Sequence, residues 1–229
     1  MGNIAIIPAR GGSKRIPKKN IKDFLGKPII SYSIEAALKS NLFEKVIVST
    51  DDEEIAAIAL KYGAEVPFMR SDVNAGDFST TADVLIEVLN SYNTLGKSFD
   101  YVCCIYPTAP FTDEIKLKLA FTRLVEQKLD SIFPIMPFSF PIQRAVKITN
   151  EKIVFLNPEF ENTRSQDLEP AYHDAGQFYF FVAKTFIETK KIVSINTGYI
   201  LISETEAQDI DNKTDWELAE LKFTRNIKK

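Results

Sequence analysis

Six basic side chains and no acid lie between residues 10 and 22: Arg10, Lys14, Arg15, Lys18, Lys19 and Lys22. The whole chain carries a formal net charge of -3, so this cluster concentrates positive potential at one place. Gly11 and Gly12 lie inside the cluster, and because glycine has no Cβ atom its backbone N–H can approach an anion closely. A cationic loop of this composition is suited to binding a polyphosphate.

Two other interpretations of this loop are a solvated basic surface and a nucleic-acid contact. A solvated loop does not require Gly-Gly-Ser between its charges, and the rest of the chain supplies no basic stripe for a duplex backbone. The Walker A spacing and the dinucleotide fingerprint G-x-G-x-x-G are both missing. We therefore expect a phosphate site of a different type and no nucleic-acid partner, with a plain surface loop as the alternative.

Asp209 and Asp211 form a second group that could do chemistry. On a strand, these two carboxylates would lie on one side and Ile210 would face the core. Two oxygen ligands close together suit Mg²⁺ beside a triphosphate, with a solvated turn as the alternative. Neither aspartate is needed as a helix cap, because Thr214 and Glu217 have the spacing of a capping box for the last helix.

The composition is that of a soluble globular protein and predicts one domain over residues 1–229. Hydrophobic residues make up 45% of the chain and charged residues 26%. No apolar run approaches the ~20 residues of a membrane helix, and the N-terminus lacks a signal-peptide layout, so no membrane partner is expected. Cys103 and Cys104 are adjacent in an apolar run, which predicts buried thiols on opposite faces of a strand and a cytoplasmic location.

Short β-rich runs alternate with helical patterns along the first half of the chain. We predict strands at residues 3–8, 45–49, 101–106 and 131–136. We predict helices at residues 28–40, from a cap at Asp51 to a stop at Gly63, at 80–90 and at 113–127. This order indicates an α/β fold in which an open, mostly parallel sheet is covered by helices on both faces.

The pattern changes at Pro137 and becomes less periodic and rich in aromatic residues. Residues 145–149 and 152–155 flank Asn150-Glu151, a candidate hairpin turn, and further strands are predicted at 177–182 and within 194–203. We interpret approximately residues 137–172 as an excursion from the sheet. Its aromatic residues favour a subunit interface, and therefore a homodimer, while a second small core within one chain is the alternative.

The motif Ile7-Pro8-Ala9-Arg10-Gly11-Gly12-Ser13-Lys14, followed by Pro17 and Lys19-Asn20, closely resembles the opening motif of the CMP-sialic acid synthetase family of sugar-acid cytidylyltransferases. Similar segments continue along the chain at residues 26–28, 49–51, 67–70, 107–110 and 209–211. Residues 140–145 and 172–179 look more like the pseudaminic acid branch of that family. Tyr106 also departs from the neuraminic acid enzymes, which carry glutamine there.

This resemblance implies a nucleotide-diphospho-sugar-transferase fold, a homodimer, Mg²⁺ dependence and CTP as the donor. The implied reaction joins CTP to a nine-carbon sugar acid, pseudaminic acid, by attack of the anomeric hydroxyl on the α-phosphorus, and releases pyrophosphate. The alternatives are the same reaction on N-acetylneuraminic or legionaminic acid, or a nucleotide-binding module without catalysis. The presence of Lys19 with both Asp209 and Asp211 argues against the second alternative.

Roles for individual residues follow from the residue types together with the resemblance. The triphosphate is assigned to Arg10, Gly11, Gly12, Ser13 and Lys14, the α-phosphate to Lys19, cytosine or ribose to Asn20, Arg70 and Thr81, and Mg²⁺ to Asp209 and Asp211. The sugar acid is assigned to Tyr106, Arg144, Arg164, His173, Gln177 and Tyr179. Alternatives remain for several of these: a surface ion pair for Arg70, a helix turn for Thr81, solvated surface for both excursion arginines and a structural hydrogen bond for His173.

Overall fold

The computed structural model describes residues 2–76 and 78–227. Its α-helices are α1 (Ile30–Ser40), α2 (Glu53–Lys61), α3 (Asp72–Ala75), α4 (Thr81–Thr94), α5 (Glu114–Glu126), α6 (Ala183–Thr189) and α7 (Lys213–Ile227). Its strands are β1 (Gly2–Pro8), β2 (Asp23–Phe24), β3 (Lys27–Pro28), β4 (Lys45–Ser49), β5 (Phe99–Ile105), β6 (Ser131–Pro137), β7 (Val146–Thr149), β8 (Lys152–Phe155), β9 (Tyr172–Asp174), β10 (Phe178–Val182) and β11 (Thr197–Leu201). In this part of the chain, no helix combines the length and apolar character needed to cross a membrane.

The central sheet has the strand order β11-β6-β10-β5-β1-β4, and β9 also pairs with β6. Strand β1 is parallel to β4 and β5, and β6 is parallel to β11. Strand β10 lies antiparallel between β5 and β6, so those two strands run in the same direction. The predicted open and mostly parallel sheet is confirmed, with β9 and β10 as its antiparallel members.

Hydrophobic cores cover both faces of the sheet, because alternate side chains of each buried strand point in opposite directions. On one face, Ile7 and Cys103 pack with residues of α1, α2 and α5. On the other face, Ile6 and Cys104 pack with residues of α4 and α6. The predicted helices on both faces, and the predicted burial of the two cysteines on opposite sides, are therefore confirmed.

A third hydrophobic cluster lies beyond the end of the sheet and joins the loop after β1 to α7. Its buried members are Ile16, Phe24, Ile29, Phe111, Ile210, Trp216 and Ala219. Phe24 packs edge to face against Trp216 and against Phe223, each with ring centroids 5.5 Å apart. We call this set the loop core, because it holds the cationic loop and the segment before α7 together.

The predicted first residues of helices α1 and α2 are wrong. Helix α1 begins at Ile30 rather than Pro28, because Pro28 pairs with Asp23 in the short β2–β3 ribbon. Helix α2 is capped by Asp52, whose carboxylate accepts from the N–H groups of the first turn, rather than by Asp51. Asp51 instead accepts a hydrogen bond from the cationic loop.

The start of α7 also differs from the prediction. Asn212 Oδ1 accepts from Asp215 N at 3.1 Å, and Asp215 Oδ2 accepts from Asn212 N at 2.9 Å. These reciprocal bonds form the capping box, so the predicted box at Thr214 and Glu217 is wrong by two residues.

The predicted hairpin within the excursion is confirmed. Strands β7 and β8 pair antiparallel around Asn150 and Glu151, which have φ angles of 51° and 62°. Positive φ at both central residues gives the tight two-residue turn that hairpins favour. Outward-facing Ile148 and Ile153 are 80% and 70% exposed, so the hairpin buries little of its apolar surface against this chain.

Candidate active site

A cleft opens at the carboxyl ends of β1 and β5. Its larger part is a cavity of about 610 Å³ lined by Pro8, Arg10, Ser13, Lys14, Arg15, Lys19, Asn20, Thr81, Tyr106, Pro107 and Thr108. From β1 the chain continues to β4 on one side, while the next strand, β5, lies on the other. In open α/β sheets, ligands bind where the strand order reverses in this way.

A smaller cavity of about 210 Å³ adjoins the first and shares Pro8, Arg10, Thr81 and Tyr106 with it. Arg70 lines only this smaller part. The two cavities therefore form one elongated cleft with a strongly cationic larger end.

The cationic loop and the acidic pair meet beside this cleft. Lys19 Nζ donates to Ile210 O at 2.6 Å and lies 3.7 Å from Asp211 Oδ1. Arg15 Nη1 lies 2.9 Å from Asp211 Oδ2. Residues far apart in sequence thus place cations and carboxylates at one site.

Asp209 and Asp211 do not lie on a strand, so that prediction is wrong. The backbone here is irregular because Asp211 N donates to the Asp215 carboxylate instead of to a neighbouring strand. Ile210 is nevertheless fully buried in the loop core, as predicted. Burial of this single side chain turns the flanking carboxylates away from the loop core.

Desolvation and mutual repulsion act on the charged groups of this site. Partial burial lowers the pKa of Lys19, while the charges of Asp211 and Asp209 oppose that effect. Burial raises the pKa of Asp209, and the negative charge of Asp211 raises it further. Two carboxylates that repel each other gain free energy from a cation placed between them.

The donor set fits Mg²⁺ that arrives with a phosphate. Within the described ranges, no third His, Cys, Asp or Glu joins the pair to complete a protein-only metal site. Mg²⁺ binds to one or two carboxylates and fills its other positions with water and phosphate oxygens. Asp209 and Asp211 match that pattern.

The two loop glycines have different environments. Gly11 N donates to Asp51 Oδ1 at 2.9 Å, and a Cβ atom at Gly11 would lie 2.7 Å from Asp52 Oδ2. The N–H of Gly11 is therefore used within the protein and is not directed to a ligand. A Cβ at Gly12 would meet no protein atom within 4 Å, so Gly12 faces open space.

Asn20 fixes the shape of the cationic loop. Its side chain is buried, and Nδ2 donates to Arg10 O at 2.9 Å. Asn20 also lines the larger cavity. Asn20 therefore positions the backbone at Arg10 from within the lining of the cavity.

Arg70 and Thr81 lie together at the smaller cavity. Arg70 is only 8% exposed and donates from Nε to Ser49 Oγ at 3.2 Å and from Nη2 to Ser49 O, which excludes the surface ion pair considered above. Burial lowers the pKa of the Arg70 guanidinium, and nearby Asp51 opposes this. Thr81 begins α4 directly after its cap, Thr80, and lines both cavities.

Tyr106 lines both cavities, whereas Tyr179 is buried against Tyr106 and lines neither cavity. Their ring centroids are 5.3 Å apart, and the Tyr106 hydroxyl interacts with Thr81. Tyr179 donates its hydroxyl proton to Asp174 Oδ2 at 2.7 Å. Burial raises the pKa of Tyr179, and Tyr106 and Asp174 raise it further. Sequence reasoning gave Asp174 no role, because the turn at Gly176 that brings it back to Tyr179 leaves no periodic signal.

Arg144 and Arg164 lie on the excursion and line neither cavity. Arg144 Nη1 donates to Ser165 Oγ at 3.5 Å, and Arg164 pairs with Asp167 at 2.7 Å. The structure therefore does not bring these two predicted sugar-acid ligands to the cleft of their own chain.

His173 and Gln177 also lie outside the two cavities. His173 packs against Phe138, with ring centroids 4.7 Å apart, and its Nδ1 lies 2.9 Å from Asp174 O. Gln177 is buried and donates to Glu206 O at 2.6 Å. These contacts agree with the structural interpretation left open for His173.

A separate cavity of about 590 Å³ lies between α1, α5 and α7. Its lysines are already paired with carboxylates: Lys27 and Lys39 with Glu35, and Lys116 with Asp113. The lining of this cavity also contains four carboxylates, whereas the larger part of the cleft is lined by four basic side chains and no carboxylate, so the cleft is the better candidate for an anionic substrate.

Comparison with known proteins decides the family. A family model described as cytidylyltransferase matches residues 4–219. The chain belongs to this family. It is 43% identical over 230 residues to a pseudaminic acid cytidylyltransferase of Campylobacter jejuni, an alignment that covers 99% of this chain and 98% of that protein. It is 35% identical to a CMP-N,N'-diacetyllegionaminic acid synthase of Legionella pneumophila, with 95% and 94% coverage.

A solved structure shows the same fold at low sequence identity. The structure is a CMP:2-keto-3-deoxy-manno-octonic acid synthetase complexed with CTP, with a TM-score of 0.73 and 17% identity. The match covers 99% of this chain and all of the other, which confirms the predicted fold class. The predicted resemblance to sugar-acid cytidylyltransferases is likewise confirmed.

Proposed function

We propose that this family member transfers CMP from CTP to the anomeric hydroxyl of pseudaminic acid and releases pyrophosphate. The proposal rests on one observation above others, the meeting of Lys19, Arg15 and Asp211 beside a cationic cleft. The high identity to a relative named for pseudaminic acid supports the choice of sugar acid. Tyr106 supports it as well, since the neuraminic acid enzymes carry glutamine there.

The nucleotide would lie along the cleft with its triphosphate in the larger cavity. Arg10, Ser13 and Lys14 line that cavity and supply charge and hydrogen-bond donors to the β- and γ-phosphates. Arg70 and Thr81 line the smaller cavity, which would take cytosine and ribose. Arg70 is anchored through Ser49, so it presents a rigid edge to the base.

In the reaction, the anomeric oxygen forms a bond to the α-phosphorus, the bond from that phosphorus to the pyrophosphate oxygen breaks, and the hydroxyl proton passes to water. Such a transfer depends on alignment and charge neutralisation more than on covalent help. Lys19 would hold its ammonium group against the α-phosphate. Mg²⁺ held by Asp209 and Asp211 would neutralise phosphate charge and favour ionisation of the attacking hydroxyl.

We further propose that residues 1–229 form one catalytic unit, of which residues 1, 77, 228 and 229 lie outside the described ranges. We also propose that the protein is a homodimer and that the excursion forms the subunit interface. Ile148 and Ile153 expose an apolar hairpin face. Arg144 and Arg164 lie on the same excursion, away from their own cleft, where they could serve the carboxylate in a partner's site.

The test is a pyrophosphate-release assay with CTP, Mg²⁺ and a panel of pseudaminic, legionaminic and N-acetylneuraminic acids. We expect turnover with pseudaminic acid and at least about tenfold lower kcat/KM with the other two. Asp211→Asn serves as the inactive control. Turnover with legionaminic acid alone would show that the enzyme acts on legionaminic acid and not on pseudaminic acid. CTP binding without turnover of any of the three acids would favour the non-catalytic nucleotide-binding module.

A further inference from the structure

The segment that carries the two carboxylates is held in place by α7. Residues 207–212 have irregular backbone, so no sheet partner fixes their direction. Lys19 of the cationic loop donates to Ile210 O at the centre of the segment, and two side chains of the last helix, Asp215 and Lys222, bind its two ends. Neither Asp215 nor Lys222 lines the cleft.

Asp215 acts on the backbone directly at Asp211. Its Oδ2 accepts from Asp211 N and from Asn212 N, each at 2.9 Å. One carboxylate oxygen therefore fixes two consecutive peptide planes. The direction in which the Asp211 side chain leaves the backbone depends on the first of these bonds.

Lys222 holds the opposite end of the same segment. Its Nζ donates to Ala207 O and to Gln208 Oε1, each at 2.9 Å. Between the two ends, Ile210 and Trp216 are buried together in the loop core. The segment is thus tied at both ends to one rigid helix and packed down at its centre.

We propose that Asp215 is a positioning residue that sets the geometry of the Asp209–Asp211 pair for a divalent cation without binding the cation itself. This inference deepens the function proposed above and rests on it. Groups that orient metal ligands typically change affinity by about 10–100-fold when removed. Asp215 is suited to that role because it binds the backbone N–H of Asp211, while the Asp211 carboxylate contacts Arg15 and Lys19 of the cationic loop.

The experiment compares Asp215→Ala, Asp215→Asn and Asn212→Ala with the wild type. Binding of Mn²⁺ in the presence of CTP is measured by water-proton relaxation, alongside the Mg²⁺ activation constant, the KM for CTP and the melting temperature. Asn212→Ala is the matched control because it removes the other half of the same capping box and leaves the Asp211 backbone bond untouched.

We expect Asp215→Ala and Asn212→Ala to lower the melting temperature by similar amounts, about 2–4 °C. Only Asp215→Ala should weaken Mn²⁺ binding and raise the Mg²⁺ activation constant, by about 10–100-fold, with the KM for CTP at saturating Mg²⁺ nearly unchanged. Asp215→Asn keeps an acceptor oxygen, so its Mn²⁺ affinity should stay within about threefold of the wild type.

The inference is overturned if Asn212→Ala weakens Mn²⁺ binding as much as Asp215→Ala does, or if wild-type protein with CTP binds no Mn²⁺. It is also overturned if Asp215→Asn is as defective as Asp215→Ala, since charge or direct ligation would then explain the effect. Because Mn²⁺ binding needs no turnover, a protein that binds Mn²⁺ as expected but transfers no CMP would contradict only the proposed function.

Discussion

Replacement of Lys19 by methionine is the sharpest test of where the reacting phosphate lies. The Lys19 side chain is 20% exposed, and its ammonium is 2.6 Å from Ile210 O and 3.7 Å from Asp211 Oδ1. Methionine keeps an unbranched apolar stem of similar length, so the loop packing should survive. The substitution therefore removes one positive charge and the hydrogen bond to Ile210 O, and it keeps the apolar stem.

The expected loss follows from the charge removed. Two unit charges about 4 Å apart interact by about 4 kcal/mol at an effective dielectric of about 20, which suits a partly buried site. If Lys19 faces charge that develops at the α-phosphate, Lys19→Met should lower kcat by about a thousandfold. The change in melting temperature should be small, because Asp211 retains Arg15 as a partner.

The pH profile gives an independent reading of the same residue. Burial lowers the pKa of Lys19 below its ordinary 10.5, so the ammonium is lost at a lower pH than in an exposed lysine. Activity that requires the charged form should be full below that lowered pKa and should fall as the pH rises through it. Lys19→Arg should move this alkaline limb upward, because arginine stays protonated.

Lys18→Met is the matched control for Lys19→Met. Lys18 is the preceding residue, but its side chain is 65% exposed and pairs with Glu54 on α2. Pyrophosphate release by Lys18→Met at saturating CTP should stay within about twofold of the wild type. If Lys19→Met lowers kcat by less than tenfold and keeps the wild-type melting temperature, Lys19 is not placed at the α-phosphate.

Three further predictions concern the loop, the acceptor and the assembly. Gly11→Ala should lower the free energy of unfolding by about 1–3 kcal/mol, because its Cβ would meet Asp52. Gly12→Ala should fold normally and raise the KM for CTP by about tenfold. Equal melting temperatures for the two variants would contradict the prediction for Gly11. Tyr106→Gln should shift the kcat/KM ratio towards N-acetylneuraminic acid by about tenfold, and an unchanged ratio in the same acid panel would remove Tyr106 from acceptor recognition. The double variant Ile148→Lys/Ile153→Lys should be a folded monomer when its mass is measured by light scattering. If the double variant remains a dimer, the subunit interface lies elsewhere.

The fold could be predicted because its strongest signals are local. Strands β1 and β5 are buried on both faces, so they appear in the sequence as short continuous apolar runs. The position of Asn150-Glu151 between two β-rich runs likewise needed no long-range information. Such signals survive in any tertiary context.

Helix starts were less predictable because neighbouring residues offer equivalent caps. Asp51 and Asp52 have the same chemistry, and the choice between them is made by Gly11, which donates its N–H to Asp51. Asn212 with Asp215 and Thr214 with Glu217 both match a capping box. Tertiary contacts decided each case, and no local pattern contains them.

The candidate site was predictable where composition is unusual and unpredictable where it is ordinary. A glycine-bearing cationic loop on an acidic protein is rare enough to stand out. Asp174 accepts from the Tyr179 hydroxyl and Asp215 accepts from the Asp211 backbone, and in sequence both look like surface aspartates. Arg144 was assigned to the substrate by charge, but its distance from its own cleft depends on where the excursion folds.

The opposite charges of this site are brought together by apolar packing rather than by their own attraction. The Arg15–Asp211 pair has side chains 68% and 43% exposed, and ion pairs of that kind contribute about 0–1 kcal/mol. Ile16 from the cationic loop and Ile210 from the acidic segment are instead buried in one loop core with Trp216, where each buried aliphatic side chain contributes about 1.5–3 kcal/mol. Because packing fixes the two backbones, Arg15 can exchange Asp211 for a phosphate without loosening the fold. A site that must bind an anionic nucleotide and then release pyrophosphate needs charged groups whose partners can change while their positions do not.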